Sequence, residues 1–162
     1  MRESLRTDDF FQCLVEKYSD MLMRIAYTHM RNVGEAEDMV QNVFLKYLEK
    51  RPTFEGEEHE KAWLIRVCIN LCKNTLKSFW LRNTTGLNEN SYGFTTAEHE
   101  VIDAVMHLPV KYRSVILLFY FEDYSIGQIA EIMQRNESTI GSQLHRARHL
   151  LKSMLKEDID DE

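Results

Sequence analysis

Six histidines and three cysteines are the side chains from which a metal centre or a nucleophilic site would have to be built. His29, His59, His99, His107, His145 and His149 stand at no metal-ligand spacing with a carboxylate, and neither a glycine-rich phosphate loop nor a nucleophile motif occurs. Cys68 and Cys72 are four residues apart on an expected helix, but no second ligand pair lies near them; with Cys13 they read as reduced thiols. No enzyme, metal site or cofactor is expected. The remaining chemistry is recognition by hydrogen bonds and charge. Glu137, Ser138, Thr139, Gly141, Ser142, Gln143, Arg146 and Arg148 collect hydroxyl, amide and guanidinium groups in one short stretch, and these are the groups that contact base edges and phosphates of a DNA duplex.

Such groups need a rigid mount. Ser125 to Gln134 reads as a short helix, Arg135-Asn136-Glu137 as a turn, and Ser138 to about Lys156 as a longer helix, which is the helix-turn-helix pattern. Ile126, Ile129, Ala130 and Met133 form the buried face of its first helix, and Ile140 and Leu144 pack from the second. Ala130 is small where the two would cross. Gly141 offers no side chain to read a base but permits close approach, and Gln143 can pair with adenine. Upstream of this pair, a short helix runs from Ala97 to His107, Leu108-Pro109 punctuates, and a helix from Val110 to Phe121 buries Val115, Ile116, Leu118 and Phe119.

The first half is also helical. Apolar residues recur from Phe10 through Tyr27 at helical spacing, with Asp8 or Asp9 as the expected cap. A second helix from about Glu35 to Lys50 puts Ala36, Met39, Val40, Val43, Tyr47 and Leu48 inward, and Pro52 stops it. Arg51 to Glu60 lacks apolar periodicity and reads as an exposed acidic loop. A third helix, about Glu60 to Leu81, buries Trp63, Leu64, Val67, Leu71 and Leu76. Asn83 to Thr96, rich in Asn, Thr and Gly, reads as a flexible linker. The fold class is therefore all-α, with two small helical domains at 1–82 and 97–156, a linker at 83–96 and an acidic tail at 157–162.

A net charge of −6 runs against the basic footprint of a DNA-binding protein, but five of the excess acids sit between Glu157 and Glu162. Lys61 to Arg82 holds Lys61, Arg66, Lys73, Lys77 and Arg82 without an acid, and Ser138 to Lys156 holds Arg146, Arg148, Lys152 and Lys156 without one. Those stretches are the candidate phosphate-facing surfaces. No apolar run is long enough to span a bilayer and no signal peptide precedes the first helix, so the expected location is the cytoplasm, without membrane insertion.

Several stretches resemble one family. Leu108-Pro109, Arg113 to Leu118, Tyr124-Ser125, Gln128-Ile129-Ala130 and Thr139 to Arg148 are similar to the promoter-upstream-binding domain of extracytoplasmic-function (ECF) RNA polymerase sigma factors, their region 4. Glu35 to Leu45 resembles the family's core-polymerase-binding helix, and Phe54, Ala62-Trp63-Leu64, Asn70 and Asn74 fall where it carries its promoter-melting segment, in region 2. The resemblance implies that Asp38, Gln41, Asn42 and Leu45, which share one face of the second helix by three- and four-residue spacing, dock on the clamp helices of the polymerase largest subunit. It implies that Phe54, Asn70 and Asn74 capture an unstacked base of the downstream promoter element, while Lys61, Arg66, Lys73 and Lys77 hold the backbone. Trp63 is expected to be a core anchor rather than a base platform. The carboxylates of Glu55 to Glu60 would repel phosphate there.

The implied partners are core RNA polymerase, promoter DNA and a cognate anti-sigma factor, which in this family can be membrane-bound. A helix-turn-helix regulator that binds duplex DNA without joining the polymerase would account for the second half alone. It leaves the Asp38 and Gln41 face and the basic third helix without work.

Overall fold

The computed structural model describes residues 2–82 and 96–160. Met1, residues 161–162 and all of the expected linker except Thr96 lie outside them. The described chain is helical and contains no strand, in keeping with the all-α expectation.

α1 is Arg2–Met30, α2 Val33–Lys50 and α3 Glu57–Arg82. α1 begins well before the expected cap: Asp8 and Asp9 lie inside it, because no residue between Arg2 and Thr7 breaks a helix. Arg31 takes a left-handed conformation (φ 60°) after α1, and the Asn32 side chain accepts from the Glu35 amide at 3.0 Å, starting α2 two residues earlier than its apolar pattern does. Left-handed Arg51 closes α2, its amide bonding the Tyr47 carbonyl at 2.9 Å.

The inner face of α2 is Ala36, Met39, Val40, Val43, Phe44 and Tyr47; Leu48 is exposed, one position past the buried stripe. α3 buries Leu64, Ile65, Cys68, Ile69 and Cys72, whereas Trp63, Val67, Leu71 and Leu76 are half-buried at its flanks. The apolar residues of α3 run nearly all round it, so periodicity alone did not fix which stripe faces α1 and α2.

The acidic loop is shorter than expected. Glu57, Glu58 and Glu60 form the first turn of α3, where carboxylates favour the positive end of the helix dipole. Glu60 turns inward, accepting from the Tyr18 hydroxyl at 3.0 Å and the Tyr47 hydroxyl at 2.9 Å, and so ties the three helices together. Burial and then the Glu60 bond push the Tyr47 phenol up to about 12. Glu57 pairs with Lys17.

The second unit comprises α4 (Thr96–Met106), α5 (Val110–Ile116), a π-helical turn (Leu117–Phe121), α6 (Ile126–Met133) and α7 (Glu137–Asp160). The π turn replaces the second half of the expected Val110–Phe121 helix. Its wider winding, with the Glu122 amide reaching back to Leu117 at 3.2 Å, leaves Phe119 half-buried and Leu117 in the core. α7 continues to Asp160, so most of the acidic tail is helical; nothing between Lys156 and Asp160 interrupts it.

The two units pack together, α4 and α5 against α1 and α6 against α3. His29, fully buried, lies between them. Its Nδ1 faces the Ile25 carbonyl at 2.8 Å, which can only accept, so Nδ1 carries the proton and Nε2 accepts from the Ser114 hydroxyl at 2.8 Å. Burial drives the imidazole down to about 4, with Arg113 also opposing its charge. Arg113 donates to the carbonyls of Leu108 at 2.9 Å and His29 at 3.1 Å, capping the C-terminal end of α1 from the other unit.

Candidate nucleic-acid and polymerase interfaces

Three surfaces carry the expected site residues. On α2, Asp38, Gln41, Asn42 and Leu45 are all exposed on the side away from the core, and Leu45 leaves 59% of its surface in solvent. An open groove of about 470 Å³ runs from Leu45 between α2 and α1, floored by Phe11, Val15, Met23, Val40 and Phe44. The expected polar face is therefore continuous with an apolar one. The contribution of α1 was not visible in the pattern of α2.

On α3, Arg66, Asn70, Lys73, Asn74 and Lys77 share one face by three- and four-residue spacing; Asn70, Asn74 and Lys77 are exposed, Arg66 and Lys73 half-buried. Lys61 is not on that face. Its ammonium pairs with Glu122 at 3.4 Å and lies 5.3 Å from the centre of the Tyr124 ring, so the second unit holds it. Phe54 is half-buried in a ring cluster with His59 (5.2 Å), Trp63 (6.0 Å) and Tyr47 (6.1 Å). Trp63 is half-buried too, packing on the core yet lining a cleft of about 490 Å³ with Arg66, Tyr124 and Glu131 between α3 and α6. Burial, then Arg135 in the α6–α7 turn, lowers the pKa of the Lys73 ammonium. In this arrangement the helix-turn-helix unit leans on the N-terminal half of the basic face.

The helix-turn-helix is built as the pattern requires. Ser125 and Gln128 form a reciprocal capping box at the start of α6 (3.2 and 2.9 Å), legible as Ser-x-x-Gln in the sequence. Left-handed Gln134 (φ 54°) ends the helix. Ile129 and Ala130 are buried, as are Ile140, Leu144 and Ala147 of α7; Ile126 and Met133 are half-buried, and Ile132 is buried instead at the edge of the cleft with α3. Truncating a core residue such as Leu144 to Ala costs about 2–5 kcal/mol, more than any single polar contact at the surface, so this apolar seam sets the aim of α7.

Ser138, Ser142 and Arg146 are exposed on α7, with Thr139, Gly141 and Gln143 half-exposed beside them. Two expected residues point elsewhere. A Cβ at Gly127 would meet Glu137 Oε1 at 3.0 Å, so that carboxylate lies over α6. Arg148 is two residues, about 200°, round the helix from Arg146. It bonds the Tyr120 hydroxyl and stacks 5.0 Å from Phe119 and 5.4 Å from Tyr120, on the π turn. The Gln143 Oε1 is buried without a hydrogen-bond partner, so pairing with adenine requires the side chain to turn outward. Gly141 would meet nothing within 4 Å of an added Cβ, so protein packing does not demand glycine there.

Among the described residues no cluster of His, Cys, Asp or Glu could hold a metal ion, and no helix is long and apolar enough to cross a membrane. Cys13 is exposed; Cys68 and Cys72 are buried, and the neighbouring Cys72 thiol together with burial raises the pKa of the Cys68 thiol.

The sequence profile of Sigma-70 region 2 matches residues 14–82, and that of Sigma-70, region 4 matches residues 98–151. The RNA polymerase sigma factor SigV of Bacillus subtilis (strain 168) is 30% identical over 156 residues, covering 91% of this chain and 92% of that one. The chain belongs to the ECF RNA polymerase sigma factors. It is thus a sigma factor that joins core RNA polymerase and directs promoter-specific initiation. The ECF sigma factor SigW of the same organism is 26% identical, covering 92% of this chain and 90% of that one. The fold recurs in the sigma factor RpoE of Bartonella quintana, solved with the anti-sigma factor NepR, at a TM-score of 0.72 and 23% identity over 90% of this chain and 96% of that one. CnrH, solved with the cytosolic domain of CnrY, gives a TM-score of 0.66 at 20% identity over 91% and 88%.

Proposed function

We propose that this sigma factor divides its work among the three surfaces. Residues 1–82 dock on the largest-subunit clamp helices through Asp38, Gln41, Asn42 and Leu45, and handle the downstream element through the α3 face. Arg66, Lys73 and Lys77 attract phosphates there, Asn70 and Asn74 offer amides to an unstacked base, and Phe54 offers a ring. Lys61 joins them once it leaves Glu122. Residues 97–156 hold the upstream element as duplex, with Ser138, Thr139, Ser142 and Arg146 toward the major groove and Gln143 joining them once its side chain turns outward, while Arg148 stays on the π turn.

The protein makes no bond itself and works in the cytoplasm. A cognate anti-sigma factor controls it; RpoE, which shares its fold, was solved in complex with the anti-sigma factor NepR.

The observation that carries this division is the simultaneous exposure of the α2 face and the α7 face at separate places on one chain. Purified protein added to core polymerase should start accurate transcription on its own promoters, and Leu45→Arg should abolish this while leaving the thermal melt unchanged. Tight duplex binding by the chain alone, with no programming of the core, would instead mark a separate regulator. Pull-down from the native cell should bring an additional small protein besides polymerase subunits; recovery of polymerase alone rules out anti-sigma control.

A further inference from the structure

The groove beside α7 has a wall that does not belong to the helix-turn-helix. Lys111 and Tyr112, at the start of α5, close a depression of about 310 Å³ with Ser138, Thr139, Ser142 and Arg146 of α7. No carboxylate lines it, in a chain whose net charge is −6, and the nearest acid of α7, Glu137, turns toward Gly127. Tyr112 is buried, 6% exposed, and its hydroxyl lies beside Arg146 and Lys111, which line the groove with it. The Lys111 ammonium sits 5.0 Å from the centre of the Tyr112 ring, which restrains a side chain otherwise free to wander.

Arg146 and then Lys111 beside the hydroxyl hold the Tyr112 phenol below its ordinary pKa. A phenol oxygen that accepts from a guanidinium keeps its own O–H to donate. The first amides of α7 lack partners within the helix, and Ser138 and Thr139 of that first turn line the depression. Two cations, a phenol O–H, serine and threonine hydroxyls and a helix start together fit a single phosphodiester.

We infer that Lys111 and Tyr112 are part of the upstream-element interface and clamp one backbone phosphate against Arg146. This rests on the assignment of α7 to duplex binding. Lys111 supplies charge; Tyr112 supplies a neutral donor and holds Arg146 in place. The contact is with the backbone, so it sets how deeply α7 sits in the groove and carries no sequence preference of its own.

The test uses holoenzyme reconstituted from core polymerase and the full chain, binding an upstream-element duplex selected from a randomised pool, with affinity followed over a range of potassium chloride. Lys111→Ala should lower affinity about 5–10-fold, equally on selected and scrambled duplexes, and reduce the slope of log K against log salt by about 1. Tyr112→Phe should lower affinity about 5-fold and leave the slope unchanged, since a neutral donor releases no counterion. If Arg146→Ala reduces the slope but Lys111→Ala does not, the proposal is overturned while duplex binding by α7 stands. If Arg146→Ala also binds as wild type, the assignment of α7 fails and the proposal goes with it. Inorganic phosphate added at constant ionic strength should not compete; competition that Lys111→Ala removes would assign the groove to free phosphate and overturn the proposal.

Discussion

Arg24 on α1 donates from Nη1 to Glu122 Oε1, 98 residues away, at 2.8 Å, and the same carboxylate takes Lys61 of α3 at 3.4 Å through its other oxygen. The Glu122 side chain is 9% exposed and its two partners about a quarter exposed, so solvent screens the pairs only in part. One acid at the end of the π turn therefore joins both units and occupies the Lys61 ammonium.

Glu122→Gln should loosen this joint without unfolding either unit. Breaking one side of a largely buried pair costs about 3–5 kcal/mol, reduced here to about 1–3 by the exposure of the cations. Fluorescence energy transfer between labels on α1 and α7 should report a longer mean distance in the variant, and an unchanged distance would mean that apolar packing and the His29–Ser114 and Arg113–His29 bonds suffice to hold the units together.

His29 makes the joint acid-sensitive. Its folded pKa of about 4 lies below the ordinary 6.5, so the unfolded chain binds more protons between those values and stability rises with pH across that window. About 3 kcal/mol present above pH 6.5 should be lost on acidification to pH 4, by the linkage constant of 1.36 kcal/mol per unit. Urea unfolding at a series of pH values should show this slope, and His29→Asn should flatten it.

Gly141→Ala should stabilise the fold. A methyl there meets open space, and Ala in place of a helical Gly is worth about 0.5–1 kcal/mol. A higher Tm with weaker binding to the upstream duplex would identify the glycine as room kept for DNA; a lower Tm would contradict the packing described.

Of the three cysteines, only Cys13 is exposed. A thiol reagent should titrate one group in the native protein and three in denaturant. Rapid native reaction of a second thiol would show that α3 opens from α1, where the Cys68 thiol faces the Leu22 carbonyl at 3.8 Å.

Local pattern determined a good part of this. The spacing of Asp38, Gln41, Asn42 and Leu45, the turn after Gln134 and the seam of Ile129, Ala130, Ile140 and Leu144 follow from helical periodicity, which each stretch carries in its own residues. So does the all-α class. Tertiary structure alone decided that Glu60 joins Tyr18 and Tyr47, that His29 meets Ser114, that Lys61 answers Glu122, that Arg148 leaves the face of Arg146 for the π turn, and that Lys111 and Tyr112 wall the groove beside α7. The physical reason is that periodicity says which side of a helix is wet, whereas the partner of a polar side chain depends on which distant helix packs beside it and on how a single wide turn redirects the chain.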